Sequence, residues 1–98
     1  MPRREPDHSF DLHGLTRDQA IRETHQHLRR IRAGGGRSLV EIVTGRGEHA
    51  PDGQPVIGPA VKEWLEGDGR RLVDVRDVQW GPGGGALLVQ IGYKEEGD

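Results

Sequence analysis

Cysteine is absent from the 98 residues. That excludes disulfide staples and cysteine-based zinc sites, and it permits a reducing compartment. Apolar bulk is also scarce. Aromatic residues make up 4 %, and Leu, Ile, Val and Phe together number 22. That share lies just above the roughly 20 % below which chains tend towards disorder. No apolar run approaches the ~20 residues of a membrane span, and the charged N-terminus lacks a signal-peptide core. Length allows one small domain. The expectation is a single folded, cytoplasmic α/β domain with a thin core and no membrane contact.

Strong net charge is missing too, with a formal total of −2. The total hides an asymmetry, because residues 17–46 carry seven Arg against Asp18, Glu23 and Glu41. A net charge near zero does not draw the whole chain to nucleic acid, but an Arg-rich face can do so locally. The same charges also suit a solvated helix surface.

What is abundant is glycine, 16 residues of it, and glycine punctuates the chain. Residues 1–8 read as a flexible polar arm. Residues 9–13 alternate, with Phe10 and Leu12 apolar between Ser9, Asp11 and His13, which predicts a half-buried strand. After Gly14, Thr16 and Gln19 form a capping box, and Leu15 and Ala20 form a hydrophobic staple. A helix is predicted through Ala33, with Ile21, Thr24, Leu28 and Ile31 on one stripe and His25 and His27 on the solvated side.

Residues 38–44 (SLVEIVT) predict a central strand, followed by Gly45-Arg46-Gly47 and a loop. A second helix starts near Pro59, places Val61, Trp64 and Leu65 on one face, and closes at Gly67 and Gly69. Residues 72–80 and 86–91 then predict an antiparallel hairpin across the turn GPGGG. The resulting β-α-β-α-β-β order predicts an α/β sandwich, a mixed four-stranded sheet with two helices on one face. The proposed domain is residues 9–92, with a polar tail at 93–98. Trp64 is expected in the core, and Trp80 is expected to cap it rather than to stack on a base.

Two clusters could carry chemistry. In Asp11-Leu12-His13, strand alternation would point the carboxylate and the imidazole to the same side. Such a pair supplies general acid–base chemistry near neutral pH. It also offers two donors to a divalent cation such as Mg²⁺ or Mn²⁺, an incomplete set. Solvent-facing polar residues would show the same pattern.

The second cluster, Thr44-Gly45-Arg46-Gly47, follows the most apolar strand, at the end where α/β sheets commonly bind ligands. Its glycines let backbone approach a phosphate, and Arg46 can fork onto phosphate oxygens. A plain turn with an exposed Arg is the alternative. His49 is a further candidate contact from the loop, as is Arg37 among the arginines for a nucleic-acid backbone. Parallel pairing of the first two strands would bring Asp11, His13 and Arg46 to one sheet edge.

The segments FDLHGLT (10–16), SLVEIVTGRG (38–47) and GPGGGALLVQI (81–91), in this order, resemble the Smr (small MutS-related) domain family. The resemblance covers roughly residues 9–92. It implies a fold similar to the C-terminal domain of bacterial translation initiation factor 3, and an endonuclease that cleaves RNA or nicks structured DNA. It places the family's D-x-H pair on Asp11 and His13, and its glycine signature on Gly45, Arg46 and Gly47. The loop with His49 looks like that of stand-alone and ribosome-linked members, so ribosomes join RNA and structured DNA as implied partners. The hydrophobic lead into D-L-H is shorter here, reduced to Ser9-Phe10.

Three functions follow as expectations, the first two ahead of the last. One is a nuclease with Asp11, His13 and Arg46 as catalytic residues, and Thr44, Gly45, Gly47, His49 and Arg37 binding nucleic acid. Another is a binding module for structured or branched nucleic acid that cleaves nothing. A protein-interaction domain on ribosomes or the replication machinery is a third.

Overall fold

The computed structural model describes residues 5–45 and 57–92. Four strands, β1 (His8–Asp11), β2 (Ser38–Val43), β3 (Val75–Trp80) and β4 (Ala86–Ile91), form one sheet in the order β1-β2-β4-β3. β1 runs parallel to β2, and β4 is antiparallel to both β2 and β3. The most apolar strands are therefore the inner ones. Helix α1 (Arg17–Ala33) crosses from β1 to β2, and α2 (Ile57–Glu66) with the short α3 (Asp68–Leu72) precedes β3.

The core follows from strand alternation. Val40 and Ile42 of β2 and Leu87, Val89 and Ile91 of β4 are all buried. They join Ala20 and Leu28 of α1 and Val61 and Leu65 of α2 in a single cluster. One face of the sheet is thus covered by both long helices, as the element order predicts. Thr24 is the polar member of the α1 stripe, and its Oγ1 donates to the Ala20 carbonyl at 2.8 Å. That bond satisfies a hydroxyl which burial would otherwise penalise by about 1–3 kcal/mol. Among the described residues, no helix is long and apolar enough to cross a membrane.

Local signals hold at the start of α1. The Thr16 side chain accepts from the Gln19 amide, and the Gln19 side chain accepts from the Thr16 amide, completing the capping box. Three expectations need correction. The first strand begins at His8 and ends at Asp11, because the Asp7 carboxylate accepts the Leu39 N–H and the Asp7 N–H donates to the Leu39 carbonyl. Glycine at 69 does not end a helix. It lies buried under Trp64, where a Cβ would stand 3.3 Å from the Trp64 carbonyl oxygen, and α3 forms around it. The third strand therefore starts at Val75 rather than at residue 72, after Asp74 takes a left-handed backbone with φ 56°.

His25 and His27 are likewise not simply solvated. His27 stacks on Phe10 with ring centroids 4.1 Å apart, and His25 tilts against the half-buried Trp64 at 5.5 Å. Trp80 remains 42 % exposed, yet its ring lies over Gly58 at the start of α2, as expected of a cap.

Two glycines with positive φ separate strain from collision. At Gly83, φ is +85° and a Cβ would meet nothing, so Gly83→Ala is expected to cost only the left-handed penalty, about 1–2 kcal/mol. At Gly92, φ is +82° and a Cβ would run into the carbonyl oxygen of Gly36. Gly92→Ala adds a backbone collision to the same penalty. In urea unfolding it should cost clearly more than Gly83→Ala, and equal losses would contradict this packing.

Candidate nucleic-acid interface

The site grows from the end of β1. Leu12 is 1 % exposed and anchors the segment in the core, so Asp11 and His13 are carried on a fixed backbone. The His13 N–H donates to Asp11 Oδ1 at 2.9 Å, and His13 Nδ1 lies 2.8 Å from the same oxygen. The chain then turns, with Leu15 N–H donating to the Leu12 carbonyl and Gly14 at φ +85°. Glycine suits that position because a Cβ would oppose the left-handed backbone. Asp11 and His13 do meet, but not through strand alternation. The strand has already ended, and a carboxylate-capped turn folds His13 back onto Asp11.

This arrangement favours the ionised Asp11 carboxylate and orients the His13 ring. The carboxylate accepts both bonds, so the Asp11 pKa is lowered from its ordinary value. The backbone N–H of His13 is the main cause, followed by the imidazole hydrogen bond. An ionised carboxylate only accepts, so in this bond Nδ1 carries the hydrogen. In the neutral ring Nε2 is then the lone-pair nitrogen. The His13 side chain is 73 % exposed, which makes it available to a ligand arriving from solvent.

The second cluster lies alongside. β1 and β2 pair in the register Asp11↔Val43, so the turn after β1 and the residues after β2 leave the same end of the sheet. Gly45 has φ +80°, and a Cβ there would stand 3.7 Å from His13 Cβ. The N–H groups of Thr44 and Gly45 both donate to the Gly85 carbonyl, each at 3.0 Å. The Gly45 amide is thus already committed to the β3–β4 turn. What Gly45 brings to the site is its bare left-handed backbone against His13.

The other expected residues separate. Thr44 is 5 % exposed, and its Oγ1 lies 3.1 Å from where a Cβ on Gly58 would stand. Its hydroxyl faces the start of α2 instead of a ligand, because β2 alternation continues one residue beyond the strand and turns position 44 inward. Arg37 precedes β2 and so sits at the opposite end of that strand, about 23 Å from Thr44 at ~3.3 Å per residue. It does not belong to this site. Arg46, Gly47 and His49 lie outside the described residues. Among the described residues, no group of three or more His, Asp or Glu side chains converges to hold a metal ion, and Asp11 with His13 supplies two donors.

The sequence reading missed the Phe10–His27 stack. Its only signal is that Phe10 and a helix histidine both fall where β1 passes under α1. The cleft beside it measures about 310 Å³ and is lined by His8, Ser9, Phe10, His27, Arg30 and Ile31.

Comparison with known proteins agrees with this architecture. The chain is 32 % identical to human NEDD4-binding protein 2 in an alignment 79 residues long that covers 72 % of this chain and 4 % of that protein. It superposes on the crystal structure of a human small-MutS related domain with a TM-score of 0.62 and 29 % identity, covering 84 % of this chain and 98 % of that one. On the solution structure of the B3BP Smr domain the TM-score is 0.64 at 29 % identity, covering 88 % and 79 % of the two chains. The Smr domain family model matches residues 10–92, and the chain belongs to the Smr domain family.

Proposed function

We propose that this Smr domain is a small endonuclease whose reacting group is the His13–Asp11 pair. The observation that carries the reading is the 2.8 Å contact between His13 Nδ1 and Asp11 Oδ1, placed beside Gly45 where two parallel strands end. With Nδ1 bound to Asp11, Nε2 is oriented to take a proton from a ribose 2′-hydroxyl. The 2′-oxygen attacks phosphorus, the bond to the 5′-oxygen breaks, and the imidazolium returns a proton to that leaving oxygen. Products are a 2′,3′-cyclic phosphate and a 5′-hydroxyl. Asp11 stabilises the imidazolium as it forms. Gly45, lacking a side chain, lets the phosphate approach His13. Arg46, next in the chain, is assigned the charge on the pentacoordinate phosphorus.

A second reading has one specific observation in its favour. The amides of Thr44 and Gly45 are both bound to the Gly85 carbonyl, so neither is free to stabilise a developing oxyanion. On that reading the domain binds structured or branched nucleic acid, and Asp11 and His13 only shape the surface.

Cleavage of end-labelled single-stranded RNA and branched DNA separates the two. The parent is expected to cut, and Asp11→Ala/His13→Ala to lose about 100-fold or more of the rate. Undiminished cleavage by the double variant would overturn the catalytic assignment, and binding without cleavage by the parent would select the binding module. Comparing end groups with and without Mg²⁺ or Mn²⁺ distinguishes 2′-hydroxyl attack from metal-activated water.

The pair also makes a titration prediction. By carboxyl-carbon NMR, Asp11 should titrate below the ordinary aspartate range. His13→Ala should raise that midpoint only partly, because the backbone N–H at position 13 remains. A lowered folded pKa means that the pair's stabilisation is complete above the unfolded aspartate pKa and is lost as pH falls through the folded one. Its effect therefore belongs to the acid limb of a stability profile. A midpoint at or above the ordinary value would contradict the carboxylate geometry.

A further inference from the structure

The nuclease reading leaves the cleft between β1 and α1 without a role. About 310 Å³ in volume, it is bounded by His8, Ser9 and Phe10 of β1 and by His27, Arg30 and Ile31 of α1. We propose that this cleft is a subsite for one unpaired nucleotide of a single-stranded substrate, with the base adding to the Phe10–His27 ring stack and Arg30 holding its phosphate. The inference rests on nucleic acid being the ligand of this domain, but not on its being cut.

Three observations meet in this cleft. The imidazole of His27 lies on the Phe10 ring at 4.1 Å with planes 14° apart, so two flat rings are already aligned for a third. His27 Nε2 stands 3.6 Å from Glu23 Oε1, and the side chain keeps 35 % of its surface exposed. With its ring edge engaged, the imidazole presents its face, the part that stacks on bases. Arg30 is exposed and makes no ion pair among the described residues, which leaves its guanidinium free for an anion.

Position and size complete the argument. β1 runs from the cleft directly into Asp11, and His8–Asp11 spans about 10 Å at ~3.3 Å per residue. Phe10 and Asp11 are adjacent in β1 but point to opposite faces of the sheet, so a strand that reaches both passes over the β1 edge, within the reach of neighbouring nucleotides. Its volume is at the low end for small-molecule sites, roughly 300–1,000 Å³, and suits one ring system. Paired bases inside a duplex cannot enter it. The subsite thus selects a splayed, single-stranded base, the form in which RNA sequence elements are usually read.

The test uses a fluorescent 2′-O-methylated single-stranded oligonucleotide in EDTA, with an abasic strand of equal length and charge. Binding is measured by anisotropy for the parent, His27→Ala, His27→Phe, Arg30→Ala and Arg22→Ala. Arg22 is an exposed arginine eight residues before Arg30 on α1, about 12 Å away at ~1.5 Å per residue, and it does not line the cleft, so it controls for charge alone. His27→Ala is expected to weaken binding about tenfold, with His27→Phe restoring it and the abasic strand erasing the difference. Arg30→Ala is expected to weaken binding to both strands more than Arg22→Ala does.

Parent-like binding by His27→Ala, the same loss on the abasic strand, equal losses for Arg30→Ala and Arg22→Ala, or no binding by the parent would each overturn the subsite. Parallel cleavage assays keep the two readings apart. If Asp11→Ala/His13→Ala abolishes cleavage while the cleft variants bind like the parent, the subsite falls and the nuclease stands. If the cleft variants lose base-dependent binding while the parent cuts nothing, the subsite stands and the nuclease falls.

Discussion

The parallel pairing of β1 with β2, in the register Asp11↔Val43, is the constraint from which the rest of the site follows. Each motif is unremarkable alone. A D-x-H triplet is a carboxylate near an imidazole, and T-G-R-G is a glycine-flanked turn. Pairing in this register makes the chain leave both strands at the same end of the sheet, which brings Gly45 against His13. A slip of one residue would reverse every side chain of β1 and pull Leu12 from the core, so burial of one face holds the register. Packing and site geometry are thus one specification. The Leu12 that fixes the strand lies between Asp11 and His13.

Much of this was legible in the sequence, and the reason differs by element. The start of α1 was readable because a capping box is local. Thr16 and Gln19 find each other within one turn whatever the rest of the chain does. β2 and β4 were readable because inner strands must be apolar, and the hairpin because its glycines sit between two such runs. The region 67–75 was misjudged because glycine has two uses. Gly69 reads as a stop, yet it serves close approach to Trp64, and only the tertiary contact distinguishes the two.

The site was legible in membership and less so in geometry. Asp11 and His13 were paired by alternation, whereas the structure pairs them through a turn that alternation cannot describe. Thr44 reads as a ligand contact because it adjoins Gly45-Arg46-Gly47 at a strand end. One more step of strand period turns it inward. Arg37 was grouped with the site by charge, and charge carries no information about which end of a strand a residue occupies. The Phe10–His27 stack has no motif or periodicity of its own, since its rings are brought together by the β1–α1 packing alone.

The Gly85 carbonyl, which takes the amides of both Thr44 and Gly45, has a consequence for the order of assembly. Asp11 and His13 lie early in the chain, while Gly85 lies in the turn that leads into β4, the last strand of the sheet. A chain emerging N-terminus first therefore exposes both side chains long before the group that pins the neighbouring backbone exists. β2 also lacks one of its two sheet neighbours until β4 docks. The two halves of the site come into register only when the sheet closes, so a partly synthesised chain carries the residues of the site without the site.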